Sequence, residues 1–145
     1  MAKLKNAYIK NIAWKCKLEM GSIMYKCFLV GTGGFAGAVL RYLIGLVPVK
    51  ETMLFPVKTF LINITGCILI GFITALVSNK FQLAPGLVLF LKTGVCGGFT
   101  TFSTFSLETS DLIKNGHAEI AVLYAVLSVV TGICAIFLIQ YFTTR

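Results

Sequence analysis

Apolar residues run in four long blocks, each meeting the roughly 20 residues an α-helix needs to cross a bilayer. The first block is Cys27 to Leu46; its apolar character continues to Val49 and is interrupted only by Arg41. The second is Thr59 to Asn79, without a charge. The third is Ala84 to Leu107, interrupted by Lys92. The fourth is Ile120 to Thr144, again uncharged. Short polar connections separate them. Pro48 to Lys58 holds two prolines and three charges, Ser78 to Gln82 is a tight polar turn, and Glu108 to Glu119 carries Asp111, Lys114, Asn115, Gly116 and His117. The pattern predicts an all-α integral membrane protein of four transmembrane helices, with a basic tail over 1–23, disordered or not translated, and a four-helix domain over 24–145. No internal repeat is visible, so any symmetry must come from a second chain.

Composition agrees. Of 145 residues, 57% are hydrophobic and 12% charged, with a mean hydropathy of +0.90. A soluble domain carries about 25% charged residues to cover its surface; here the solvent must be lipid. The net charge of +8 suggests nucleic acid until its placement is read. Lys3, Lys5, Lys10, Lys15, Lys17 and Lys26 all precede the first block, as a basic flank against anionic lipid does. The length of that block argues against a cleaved signal peptide. Cys16, Cys27, Cys67, Cys96 and Cys134 are odd in number and form no CxxC pair, so they read as small packing residues.

The third block departs from a plain helix. Residues 94–106 read Gly-Val-Cys-Gly-Gly-Phe-Thr-Thr-Phe-Ser-Thr-Phe-Ser. Gly97 and Gly98 lower helix propensity by about 1 kcal/mol each, and five hydroxyl residues follow in seven positions. A helix broken here would free backbone groups to bind an ion. Small residues for close helix packing explain the composition equally well.

Polar side chains at membrane depth are costly and mark function. Asn63, four residues into the second block, is either interhelical glue or a donor aimed at an anion. Phe102 and Phe105 share a helical face, and Phe99 extends their row. Phenylalanines at this spacing usually face lipid or core, but Thr100, Thr101, Ser103, Thr104 and Ser106 stand beside them. Aromatic ring edges are electropositive and help solvate a small anion without a basic group to trap it. In the fourth block Tyr124 and Ser128 stack on one face, approximately continued by Thr131. Gly33 and Gly37 form a GxxxG that permits close helix approach, and Arg41 is expected to snorkel to the interface.

Enzyme chemistry has little to work with. His117 is the single histidine, and Glu51, Glu108, Asp111 and Glu119 fall at or beyond span ends. No phosphate loop, metal-ligand cluster or nucleophile–base pair can be placed at one depth.

Three segments now carry a resemblance: Gly33-Gly34-Phe35-Ala36-Gly37-Ala38-Val39-Leu40-Arg41-Tyr42, Thr59-Phe60-Leu61-Ile62-Asn63-Ile64-Thr65-Gly66, and the run from Gly94 through Glu108. From about residue 24 onward the chain resembles the CrcB/Fluc fluoride channel family. The resemblance implies a third helix broken near Gly97–Thr101, an antiparallel, dual-topology homodimer in a cell membrane, and two pores through which fluoride leaves passively. It implies a central Na+ at the dimer interface, held by the backbone carbonyls of Gly97 and Thr100. Its fluoride pathway would run past Asn63, Thr101, Phe102, Ser103, Phe105, Tyr124 and Ser128. Two positions depart from the family: Lys58 stands where glycine is usual, and Gly132 where some members continue the track with a hydroxyl. The partner is therefore a second copy or a paired homologue. A passive exit suits fluoride, because hydrofluoric acid enters uncharged and ionises inside. Its hydration must be replaced by donors that bind weakly enough to release it. A small dual-topology multidrug exporter would share the size but needs a buried glutamate in its first helix, and Glu19 precedes that span. A non-transporting assembly factor would need no polar track.

Counted from Met24, Lys26, Lys80 and Arg145 fall on one side and Lys50, Lys58, Lys114 and Arg41 on the other, close to balanced for insertion both ways. Starting at Met1 adds five lysines to one side, so the expected start is Met20 or Met24.

Overall fold

The computed structural model describes residues 2–48, 53–78 and 83–143, with side chains from residue 19 onward. Lys50, Glu51, Lys80, Thr144, Arg145 and most of the turn read over Ser78–Gln82 lie outside the described residues.

Helix α1 (Ala2–Gly45) continues through the basic tail, and its apolar part from Glu19 forms the first span. Helix α2 (Val57–Ser78) starts directly after Pro56, whose carbonyl accepts the Phe60 N–H at 3.0 Å. The third span, Pro85–Lys114, is built in pieces. It opens with α3 (Pro85–Val88), where proline's fixed φ suits a first turn, passes into a π-helical stretch (Leu89–Cys96), and continues as α4 (Gly97–Phe99) and α5 (Phe102–Lys114). Helix α6 (Ala118–Thr143) is the fourth span. The chain is an all-helical, multi-pass membrane protein, as its hydropathy predicts.

The third span outruns its expected end. Leu107 seemed terminal because Glu108 follows it, yet α5 continues six residues beyond Glu108 to Lys114. The helix then stops in a Schellman turn. Gly116, at φ 83°, donates to the Ile113 carbonyl at 3.1 Å, and His117 N–H to Leu112 at 2.8 Å. The turn folds α6 back against α5 and puts Tyr124 beside Glu108.

Packing is inside-out relative to a soluble protein. Large apolar side chains such as Phe35, Phe137 and Phe142 project outward. The buried cluster is small: Leu112, Ala121 and Tyr124, with Phe55, Phe60, Phe105 and Ile120 against it. Lipid is as apolar as leucine, so helices associate through close contact and polar bonds. The GxxxG of α1 supplies that contact. A Cβ on Gly33 would lie 2.5 Å from the Phe90 carbonyl oxygen, and one on Gly94 2.8 Å from Gly33 Cα. Backbone touches backbone where α1 crosses the third span. Helix α2 packs mainly against α6.

Candidate functional site

The break in the third span falls on threonine. Gly97 is helical (φ −65°, ψ −37°), whereas Thr100 (φ −79°, ψ 158°) and Thr101 (φ −149°, ψ 114°) are extended. Gly98 lacks a Cβ for a different reason: it lies against the Gly34 backbone of α1. Thus the small-residue reading and the broken-helix reading both hold, at Gly98 and at Thr100–Thr101.

Three side chains hold the break open. Asn63 on α2 receives the Thr101 N–H on Oδ1 at 2.9 Å and donates Nδ2–H to the Thr101 carbonyl at 3.2 Å. In a continuous helix Thr101 N–H would go to the Gly97 carbonyl, which Asn63 therefore leaves without its donor. Thr101 Oγ1 caps α5, accepting Thr104 N–H at 3.2 Å, which deprives the Thr100 carbonyl in the same way. Arg41 Nε donates to the Gly98 carbonyl at 3.2 Å. Arg41 was expected to snorkel; the carbonyl freed by the break offers its guanidinium an acceptor inside the protein.

Asn63 thus ties α2 to the third span, the glue of the two roles open to it. One Nδ2 hydrogen is left over, and the residue lines a cavity of about 560 Å³. Thr100, Thr101, Phe102, Phe105 and Ser128 share that wall. Ser128 Oγ is buried and has no hydrogen-bond partner among the described residues. The N-terminus of α5, whose first amides have no carbonyl a turn earlier in the helix to receive them, starts at the same wall.

An aromatic row backs the cavity. The Phe102 and Phe105 ring centroids are 5.7 Å apart at 38°, and Phe105 lies 5.0 Å from Tyr124 at 56°. Phe102 is 79% exposed, projecting away from its own chain. Phe99 does not extend their row: it precedes the break, which resets the helical phase, and is buried next to Gly66. Ser103 lies outside the cavity wall, its hydroxyl 3.2 Å from Thr101 Oγ1. Thr131 is exposed and bonds the Leu127 carbonyl of its own helix, so the α6 track does not continue through it. Gly132, one turn after Ser128, is buried, and a Cβ there would meet Cys67 Sγ at 3.2 Å.

Tyr124 is fully buried. Its hydroxyl donates to Glu108 Oε2 at 2.9 Å, and Thr59 Oγ1, on a residue 5% exposed, donates to Glu108 Oε1 at 2.7 Å. Glu108 and Thr59 are residues that sequence reasoning missed. A spacing signal was present: Thr59 is one turn before Asn63, and Glu108 three residues after Phe105. Glu108, Thr59, Arg41 and Lys58 line a second cavity of about 250 Å³ on the other side of the break. Lys58 Nζ donates to the Gly45 carbonyl at 2.7 Å, satisfying the end of α1.

A break held open by Asn63, a hydroxylated cavity and Phe rings at its edge invite comparison with known proteins. A family model described as CrcB-like protein, Camphor Resistance (CrcB), matches residues 28–139. The chain belongs to the CrcB family. Curated relatives agree over nearly their whole length. The fluoride-specific ion channel FluC of Chlorobaculum tepidum is 47% identical over 116 residues, 79% of this chain and 91% of that protein. FluC of Azobacteroides pseudotrichonymphae is 40% identical over 124 residues, covering 85% and 98%. FluC of Ruminiclostridium cellulolyticum is 50% identical over 107 residues, covering 73% and 82%. For a CrcB-family chain the exporter alternative loses its ground: Glu19 is exposed at the start of the first span.

Proposed function

We propose that this chain is the subunit of a fluoride-specific channel that lets fluoride leave the cell passively. The observation that carries the reading is Ser128 Oγ, a buried hydroxyl without a partner on the wall of a cavity shared with Asn63, Phe102 and Phe105. A buried donor left unpaired costs about 1–3 kcal/mol, and an anion in transit would satisfy it. Fluoride would exchange water for the Ser128 hydroxyl, the spare Asn63 amide hydrogen and the ring edges of Phe102 and Phe105. Each is a neutral donor, so the ion is held loosely enough to move on. Thr101 supports the pathway by fixing the break. Tyr124, its hydroxyl engaged as a donor to Glu108, packs against Phe105 from behind.

The half-exposed wall and the outward Phe102 suit a dimer in which a second copy or a paired homologue closes each pore. The carbonyls of Gly97 and Thr100, each deprived of its helical donor, fit a Na+ ligand set, because carbonyl oxygens lacking N–H partners at membrane depth need a cation or water. When bound, Na+ would offset the partial negative charge of the Gly97 and Thr100 carbonyl oxygens.

The test is efflux from liposomes containing the purified protein, read with a fluoride electrode after a K+ ionophore sets the voltage. Fluoride should leave and chloride should stay. No fluoride release, or equal release of chloride, refutes the reading.

A further inference from the structure

Among the described residues Lys92 is the one charged side chain lining the larger cavity, and neither the break nor the hydroxyl track uses it. It sits on the π-helical stretch Leu89–Cys96, whose i→i+5 bonding sets Lys92 on the same face as Cys96 and Gly97. All three line the cavity. Among the described residues no acidic side chain lines that wall, and Lys92 makes no hydrogen bond or ion pair. A charged side chain within a span is expensive unless it faces water or a partner. Lys92 is seven residues into the third span, about 10 Å at 1.5 Å per residue, so its exposed ammonium stands towards one mouth of the cavity.

The α6 side of the cavity explains what a cation there would do. Beyond Ser128 the cavity-lining residues of α6 are Val129 and Ile136, neither with a polar side chain, and α2 presents Cys67 and Ile70. On this stretch the strongly polar lining groups are Thr93 and Lys92, both on the third span. An anion leaving Ser128 towards that mouth meets no further hydroxyl on α6, and the next favourable group is the ammonium. We propose that Lys92 is an anion-collecting residue at this mouth, drawing fluoride to and from Ser128 by charge where α6 puts no further hydroxyl on the cavity wall. The inference rests on the fluoride-channel reading and adds to it a residue acting on entry rate. An exposed, hydrated ammonium on a flexible stem raises the local anion concentration without desolvating the ion, so it collects fluoride and does not trap it.

The experiment is single-channel fluoride conductance of the full chain in planar bilayers of neutral lipid, at about 0.01 M and about 1 M salt, where the Debye length is ~30 Å and ~3 Å. Lys92→Met should lower conductance about 3- to 10-fold at low salt and change it less than about 1.5-fold at high salt, because the lost term is screened charge. Lys92→Arg should restore the wild-type salt dependence. Lys92→Gln is the second neutral variant, read by the same criteria if the methionine protein does not reconstitute. Wild-type conductance in the neutral variant at low salt overturns the proposal and assigns the ammonium to lipid headgroups. A neutral-variant loss that is equal at both salt concentrations also overturns it, in favour of a packing role. Absence of fluoride current in the wild type would overturn the channel reading along with this one.

Discussion

Replacing Asn63 by alanine removes both bonds that hold Thr101 out of the helix, at 2.9 and 3.2 Å. Two side-chain bonds at the membrane average of ~0.6 kcal/mol contribute about 1 kcal/mol. Stranding the Thr101 carbonyl raises the total towards about 3 kcal/mol. The freed Thr101 N–H has a substitute acceptor a turn away, the Gly97 carbonyl, so the break should partly close. Asn63→Ala should therefore lower the thermal unfolding midpoint in detergent, abolish fluoride efflux and remove any dependence of stability on Na+. Asn63→Asp separates the effects. Its carboxylate still accepts from Thr101 N–H, so Gly97 should stay free and any stabilisation by Na+ should persist. It sets an anion against the Thr101 carbonyl and the cavity, so flux is blocked. Unfolding and efflux measured on both variants across a Na+ series decide the matter. An alanine variant with wild-type stability and flux would refute the latch; an aspartate variant that conducts normally would refute the donor role.

Phe105→Ile keeps an apolar group but loses the ring edge beside Tyr124, so flux should fall at least tenfold while the protein still folds; flux within twofold of wild type would exclude a ring-edge role. Glu108→Gln turns an amide N–H towards one of the donors Thr59 and Tyr124 and should cost about 1–3 kcal/mol in detergent unfolding, with no loss counting against that carboxylate as a structural tie. Gly94→Ala drives a methyl to within 2.8 Å of Gly33 Cα and should destabilise by about 1–3 kcal/mol, whereas Gly97→Ala meets nothing within 4 Å and should fold normally. Exchanging Na+ for a large organic cation should stop efflux, and unchanged activity after exhaustive exchange would remove the cation from the Gly97 and Thr100 carbonyls.

The helices, their number and their approximate ends were legible in the residue order because spanning is a local property. A run of about 20 apolar residues commits to a helix in lipid whatever its neighbours do. Asn63, Phe102, Phe105 and Ser128 stood out for a related reason, as polar or aromatic groups at odds with their apolar surroundings. Their partners were not legible. The break landed on Thr100 and Thr101, past the glycines, because Asn63, 38 positions away in sequence, captures the Thr101 peptide. Local helix propensity carries no record of that bond. Glu108 looked like a span end since a charge beside an apolar run ordinarily faces water. The Schellman turn at Gly116 folds α6 back, and Tyr124 with Thr59 makes the site habitable for a carboxylate. Arg41 is the same lesson with the opposite charge: its destination, the Gly98 carbonyl, exists only once the third span has broken. Hydropathy is a sum over neighbours along the chain, whereas each polar group at depth answers to whichever donor or acceptor the packed helices bring to it.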